Sequence, residues 1–174
     1  MTGIVIAAVV VLALEPASGA GTEANVADCS QAIIGSGGPG WRAESLVAGP
    51  VGVAKGALSQ MWRAPNGFLY AKVPLLLDGK KAVTVSVPPS LRNRVFLYYG
   101  RIVGRDGSVT SSFAGARGHG ETEFRPCPDK PRTVWPGGLR IEGTAPVHLL
   151  VHRGGGAEPI PLRLGRPQVH SPSS

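Results

Sequence analysis

Apolar and polar residues alternate over several short stretches of this chain, which predicts β-strands. Val83, Val85 and Val87 alternate with Thr84 and Ser86, the two-residue period of a strand that buries one face. Similar runs of β-forming residues recur along the chain and are separated by Gly, Pro and Asp. We predict strands over residues 68–77, 82–87, 95–99, 121–125, 139–142, 147–152 and 160–164.

The turns between these runs predict which strands are neighbours. Asp78-Gly79 is a tight-turn pair, so the first two strands are predicted to form a hairpin. The glycines at 154–156 predict the loop of a second hairpin. The segment 135–138 (Trp-Pro-Gly-Gly) predicts a turn in which Pro fixes the first corner and Gly137 supplies a positive φ.

Other stretches are less regular. Residues 46–54 alternate weakly around a Gly-Pro pair, which predicts an edge strand with a bulge. The apolar residues of 54–63 fall at helical spacing and predict one short helix. The polar, glycine-rich segment 101–120 predicts a mobile loop that contributes little to a core, and 167–174 predicts a disordered tail.

Seven or eight short strands with frequent turns predict an all-β fold, an antiparallel β-sandwich over residues 46–166. An immunoglobulin-like arrangement is the natural candidate, with a barrel as the alternative. The Trp that antibody domains place between their cysteines is not recognisable, because neither Trp41 nor Trp62 lies in a predicted strand. Residues 21–45 are predicted to form a lead-in segment before the domain.

The N-terminus carries the longest apolar run, residues 4–14, which ends at Glu15-Pro16 and is followed by small residues. This is the layout of a secretory signal, so 1–20 is predicted to be a signal helix cleaved after Ala20. No Lys or Arg precedes the run, so an uncleaved N-terminal anchor and a cytosolic chain stay open. We expect membrane contact only through an uncleaved segment of this kind.

The chain has two cysteines, Cys29 and Cys127, and an exported chain most simply joins them. We therefore predict a Cys29–Cys127 disulfide. It would tie the lead-in to the proline-rich stretch 126–136, which is predicted to be rigid and extended.

The net charge is +7, from 18 Lys and Arg against 11 Asp and Glu. A basic exported protein is attracted to teichoic acids, phospholipid headgroups or acidic glycans. No motif or aromatic-lined basic face of a nucleic-acid binder is recognisable, so no nucleic acid is expected as a partner. A clustered positive face would favour an anionic-surface module, but the arginines occur as separated pairs and predict dispersed charge: Arg92/Arg94, Arg101/Arg105 and Arg163/Arg166.

The histidines do not predict a metal site. His148 and His152 are four positions apart in a predicted strand, a rise of about 13 Å. Both are expected on the solvent face, while His119 and His170 fall in the predicted loop and tail. No metal and no cofactor are therefore expected.

No catalytic residues are predicted either. The chain has no Gly-x-Ser-x-Gly elbow, and Cys127 is expected in the disulfide rather than as a nucleophile. Glu121 and Glu123 share one strand face, a pattern more typical of solvated carboxylates than of a glycosidase pair. The three tryptophans are expected to anchor core and turns, with a sugar-stacking platform as the alternative.

The chain also resembles a group of small exported actinobacterial proteins of uncharacterised function, from about residue 29 to 167. The matching segments are Gly49-Pro50-Val51-Gly52, Lys72-Val73-Pro74-Leu75-Leu76, Val83-Thr84-Val85-Ser86-Val87-Pro88, Tyr99-Gly100, Phe124-Arg125-Pro126-Cys127, Arg132-Thr133, Trp135-Pro136-Gly137-Gly138 and Leu162-Arg163-Leu164-Gly165. The resemblance implies export and a β domain, and it implies no activity.

The sequence therefore predicts a secreted or cell-envelope β-sandwich without enzymatic activity, in a binding or structural role. The alternative is a basic module that binds an anionic cell-surface polymer or glycan.

Overall fold

The computed structural model describes residues 25–33, 40–64, 67–100, 103–104 and 116–169, with only the backbone at Val103, Gly104 and Arg117. The predicted signal at 1–20 and His170 lie outside the described residues. The strands are β1 (Val26–Ala27), β2 (Ser45–Ala48), β3 (Val51–Ala54), β4 (Trp62–Arg63), β5 (Leu69–Lys72), β6 (Leu75–Asp78), β7 (Val83–Ser86), β8 (Val95–Tyr98), β9 (Val103–Gly104), β10 (Ala116–Arg117), β11 (Glu121–Phe124), β12 (Arg132–Trp135), β13 (Gly138–Ile141), β14 (Val147–His152) and β15 (Ile160–Gly165). The helical elements among the described residues are two single 3-10 turns, Cys29–Gln31 and Pro89–Leu91.

The strands form four sheets, and the prediction of an all-β fold is confirmed. One sheet has the order β1-β11-β7-β14-β15, a second β12-β6-β3-β2 and a third β4-β5-β13-β8, and β9 pairs with β10. Neighbouring strands are antiparallel except β1, which pairs with β11 in parallel. The three larger sheets contribute apolar side chains to one core.

A long bent ribbon joins the second and third sheets. β5 and β6 pair with β13 and β12 in one continuous register, and the Val73 N–H bonds to the Gly137 carbonyl at 3.0 Å across the gap. The ribbon bends where Pro74 and Pro136 interrupt the two strands. The single strand predicted over 68–77 is therefore two strands, β5 and β6, which belong to different sheets.

The predicted turn at 135–138 is wrong. Neither Gly137 nor Gly138 has a positive φ, and the two glycines are required because the chains approach closely at the bend. A Cβ on Gly138 would lie 2.2 Å from the Ala71 carbonyl oxygen, and one on Gly137 would lie 2.2 Å from the Tyr99 ring.

We expect Gly138→Ala to lower the free energy of unfolding by about 1–3 kcal/mol, the usual cost of overpacking. The clash is with backbone of the paired strand, which cannot move aside as a flexible side chain can. Gly120→Ala is the control, since nothing lies within 4 Å of its added Cβ. Urea denaturation of both variants measures the difference, and equal stabilities would contradict this account of the bend.

An aromatic cluster fills the space beside the bend. The Phe124 ring packs edge-on against Tyr99, with centroids 5.2 Å apart, and against Trp135 at 5.1 Å. The buried Tyr99 hydroxyl donates a hydrogen bond to the Val73 carbonyl, and burial raises its pKa above the ordinary value. These contacts join Tyr99, which directly follows β8, with Phe124 of β11 and Trp135 of β12 into one unit.

The predicted lead-in belongs to this unit. Trp135 Nε1 donates to the Asp28 carbonyl at 2.8 Å, and Asn25 Nδ2 donates to the Tyr99 carbonyl and to Thr122 Oγ1, each at 2.9 Å. Ala27 is fully buried in the core. Residues 25–29 are therefore part of the folded domain rather than a segment preceding it.

Two predictions for the region 46–63 are wrong. Residues 46–54 are not a bulged edge strand but the hairpin β2–β3, with Ala48 opposite Val51. Gly49 has a φ of +59° and precedes Pro50, which suits the first central position of a two-residue hairpin turn. Residues 54–63 form turns followed by β4 instead of a helix, because Gly56 takes a φ of +73°.

The predicted Asp78-Gly79 hairpin is also wrong. β6 is flanked on both sides, by β12 and β3, so β7 has no free edge of β6 to pair with. β7 pairs instead with β11 and β14 in the five-stranded sheet. The hairpin predicted around 154–156 is confirmed, since β14 and β15 pair across three glycines with positive φ.

Three segments without predicted strands contain strand pairing or packed residues. The prolines of 126–136 flank β12, and the predicted loop 101–120 holds the β9–β10 pair and the backbone pairing of His119 with Leu97. The predicted tail packs at its start, because Pro167 is buried and the Gln168 N–H bonds to the Leu58 carbonyl at 2.9 Å. Residues 105–115 and 170–174 lie outside the described residues.

Candidate functional site

The predicted disulfide is confirmed. Cys29 and Cys127 are bonded, with their Cα atoms 4.9 Å apart. The Cys127 N–H donates to Thr133 Oγ1 at 2.9 Å, which fixes the chain between β11 and β12. Because Cys29 follows β1 directly, the bond holds the parallel edge strand against β11.

The two strand histidines lie on the outer face of β14, as predicted. His148 and His152 are half-buried and alternate with the core residues Val147, Leu149 and Val151. His119 is different, because its burial lowers the pKa of the imidazole and its Nε2 has no hydrogen-bond partner in the described structure. Among the described residues, no three His, Cys, Asp or Glu side chains are grouped to hold a metal ion.

A serine–histidine pair, which the sequence did not predict, joins β7 and β14. Ser86 Oγ lies 2.8 Å from His152 Nε2, and Ser86 is buried. A hydroxyl nucleophile needs such a base and, beyond it, a group that orients the base. Glu123 lies on β11, the strand that pairs with β7, but its carboxylate is bound to Arg125 and not to His152. It accepts two hydrogen bonds from Arg125, at 3.0 and 2.9 Å, and this pairing lowers the pKa of Glu123.

Basic side chains meet where three loops come together at one end of the second sheet. The Asp78 N–H bonds to the Pro50 carbonyl at 2.8 Å, which brings the 78–82 connection against the β2–β3 turn. Arg153 follows β14 and reaches the same turn. Lys80, Lys81 and Arg153 line a pocket of about 220 Å³ there, which we call the cationic pocket.

The acid that lines the cationic pocket, Asp78, is already paired. Asp78 forms an ion pair with Arg42, with an N–O distance of 3.0 Å. Lys80, Lys81 and Arg153 form no ion pair with any residue that the structure describes. Lys80, Lys81 and Arg153 are all exposed, so the surroundings of the pocket attract an anion that carries several charges.

Neither Arg92/Arg94 nor Arg163/Arg166 lines the cationic pocket, and Arg101/Arg105 lie outside the described residues. The pocket's members come from two connections far apart in sequence, and the sequence predicts no role for Lys80 and Lys81. The signal in the sequence was a pair of consecutive lysines, Lys80-Lys81, directly after Asp78-Gly79.

The three tryptophans have different surroundings. Trp135 is fully buried in the aromatic cluster, as expected of a core anchor. Trp62 is 42% exposed and stacks on Tyr70, with centroids 6.0 Å apart. Trp41 lies against Gly52 on the outer face of the second sheet.

A cationic side chain continues the row of Trp62 and Tyr70 across the third sheet. Arg140 lies opposite Tyr70 in register, and its guanidinium carbon is 4.4 Å from the centroid of Phe68 and 4.3 Å from that of Phe96. Such contacts stabilise a half-buried arginine without a carboxylate.

In the part of the chain that the structure describes, no helix is long and apolar enough to span a bilayer. No family model, no curated protein and no solved structure matches this chain.

Proposed function

We propose that this protein is an exported, non-enzymatic binding module that recognises anionic components of the cell envelope through its cationic pocket. The observation that carries the proposal is the convergence of Lys80, Lys81 and Arg153 beside an acid that Arg42 already neutralises. Clustered positive charge favours a role in binding anions over a purely structural role.

The disulfide supports the export part of the proposal, because such bonds persist mainly in oxidising compartments. The sandwich form is supported by the single core shared by the larger sheets and by β15 packing beside β2. An immunoglobulin-like form gains less support. Its disulfide joins two sheets, whereas Cys29 and Cys127 follow neighbouring strands of one sheet.

Charge reversal in the pocket tests the proposal. We expect Lys80→Glu/Lys81→Glu to bind short-chain inorganic polyphosphate at least roughly tenfold more weakly, because two attractions of about 1 kcal/mol become repulsions. The control is Arg163→Glu/Arg166→Glu, which changes the net charge equally at exposed positions outside the pocket. Isothermal titration calorimetry at several salt concentrations provides the affinities.

The control variant is expected to keep most of its affinity. Equal weakening of both variants would show that net charge alone attracts the polyanion, and the cationic pocket would then not be the site.

A further inference from the structure

The outer face of the β12-β6-β3-β2 sheet carries an unbroken row of apolar positions. Five residues follow one another across the sheet through their pairing, in the order Ile33, Val134, Leu76, Gly52 and Val47. The strand neighbours of Val134, Leu76, Gly52 and Val47 pack toward the core, so these four positions face outward. Ile33 is 49% exposed and Val47 37%, and they stand at the two ends of the row.

Such a row is unusual, because the face of a sheet that contacts water normally carries polar residues. Val134 and Gly52 in the middle of the row are buried and Leu76 is half-buried, so the surface left for another apolar group lies beside Leu76 and at the two ends of the row.

Trp41 turns part of this face into a groove. Its ring lies where a Cβ on Gly52 would be, 2.3 Å from the Cζ3 atom, so only glycine leaves room for the indole. Trp41, Gly52, Pro74, Leu76 and Val134 line a groove of about 470 Å³, which we call the Trp41 groove. This volume falls within the usual range of about 300–1,000 Å³ for small-ligand sites.

The Trp41 groove adjoins the cationic pocket. Arg42 lies over the Trp41 ring at 4.7 Å and forms the ion pair with Asp78. Asp78 lines the cationic pocket and lies two positions along β6 from Leu76 in the groove, a rise of about 7 Å. One molecule with an anionic end and an apolar tail would therefore contact both.

We infer that the ligand is an anionic lipid whose headgroup binds at the cationic pocket and whose acyl chain lies in the Trp41 groove. This inference rests on the proposed function and names its ligand class. A soluble polyanion satisfies Lys80, Lys81 and Arg153 but leaves the Trp41 groove uncovered. An acyl chain covers it, and each buried methylene contributes about 0.8 kcal/mol. The sequence led us to expect membrane contact only through residues 1–20.

Quenching by brominated acyl chains tests the inference directly. The experiment uses the Trp62→Phe variant, whose remaining tryptophans are Trp41 and Trp135. Trp135 is fully buried, so a change in quenching reports on Trp41. Vesicles contain brominated phosphatidylglycerol and phosphatidylcholine in equal amounts, and the control vesicles contain brominated phosphatidylcholine alone. We expect strong quenching with the first vesicles and little with the second. Absence of quenching with the anionic vesicles would overturn the lipid assignment.

A matched pair of variants separates this inference from the proposed function. Leu76→Asn places an amide in the groove, and Leu150→Asn makes the same change at a half-buried position on the outer face of β14. We expect Leu76→Asn to bind anionic vesicles at least roughly tenfold more weakly than Leu150→Asn, with equal affinity for polyphosphate. Equal vesicle binding by the two variants would overturn the lipid inference alone. Unchanged polyphosphate binding by Lys80→Glu/Lys81→Glu would overturn the proposed function.

Discussion

Replacing Cys29 and Cys127 with serine is expected to lower the melting temperature by more than ~10 °C. The bond closes a loop of 98 residues, which removes unfolded-state entropy worth about 4–5 kcal/mol in the chain-entropy model. In a chain of this size, each kcal/mol shifts the melting temperature by roughly 2–4 °C. The measurement is calorimetry of the double variant beside the native protein.

The structure adds a local reason for this loss. Cys29 follows Asp28, whose carbonyl accepts the Trp135 indole hydrogen bond. Without the bond, β1 is held to β11 by two residues of parallel pairing and by the hydrogen bond from Asn25 to Thr122. Ser30→Ala, one position after Cys29, is the control and is expected to cost less than half as much. Free-thiol titration of the native protein should find none. A double variant with the same melting temperature as the native protein would contradict the role assigned to the bond.

Phe124→Ala is expected to lower the free energy of unfolding by about 3–5 kcal/mol, as large-to-small changes in a packed core do. The ring is fully buried and contacts both Tyr99 and Trp135 edge-on. Its loss leaves a cavity at the point where β8, β11 and β12 meet beside the bend. Urea denaturation measures the change.

Phe96→Ala is the control for this prediction, because the same ring is removed from a half-buried position on the outer face of β8. We expect it to cost less than half of the Phe124→Ala loss, since the site is open to solvent and leaves no enclosed cavity. Equal costs would show that the aromatic cluster is not the centre of the core.

Local patterns in the sequence predicted most of the strands, because alternation reports burial of one strand face wherever its partner lies. Val83 to Val87 and Val147 to His152 are the clearest cases. β12 was missed because the prolines around it masked a four-residue run. The disulfide was predictable because the chain has two cysteines.

The pairing of strands could not be predicted, because it depends on which strand edges are already occupied by residues distant in sequence. Asp78-Gly79 has the composition of a hairpin turn, yet β12 and β3 already occupy both edges of β6. The cationic pocket was hidden for the same reason: Arg153 reaches Lys80 and Lys81 only after three connections have met. The Trp41 groove depends on Gly52, a residue that looked like an ordinary strand glycine.

A two-dimensional amide NMR titration with short-chain polyphosphate tests the central claim, that the cationic pocket is an anion site, most directly. We predict saturable shifts for the amides of Gly79, Lys80, Lys81 and Arg153, with little change at Arg163 and Arg166. Shifts centred on Arg163 and Arg166, or weak shifts spread over all basic positions without saturation, would contradict it.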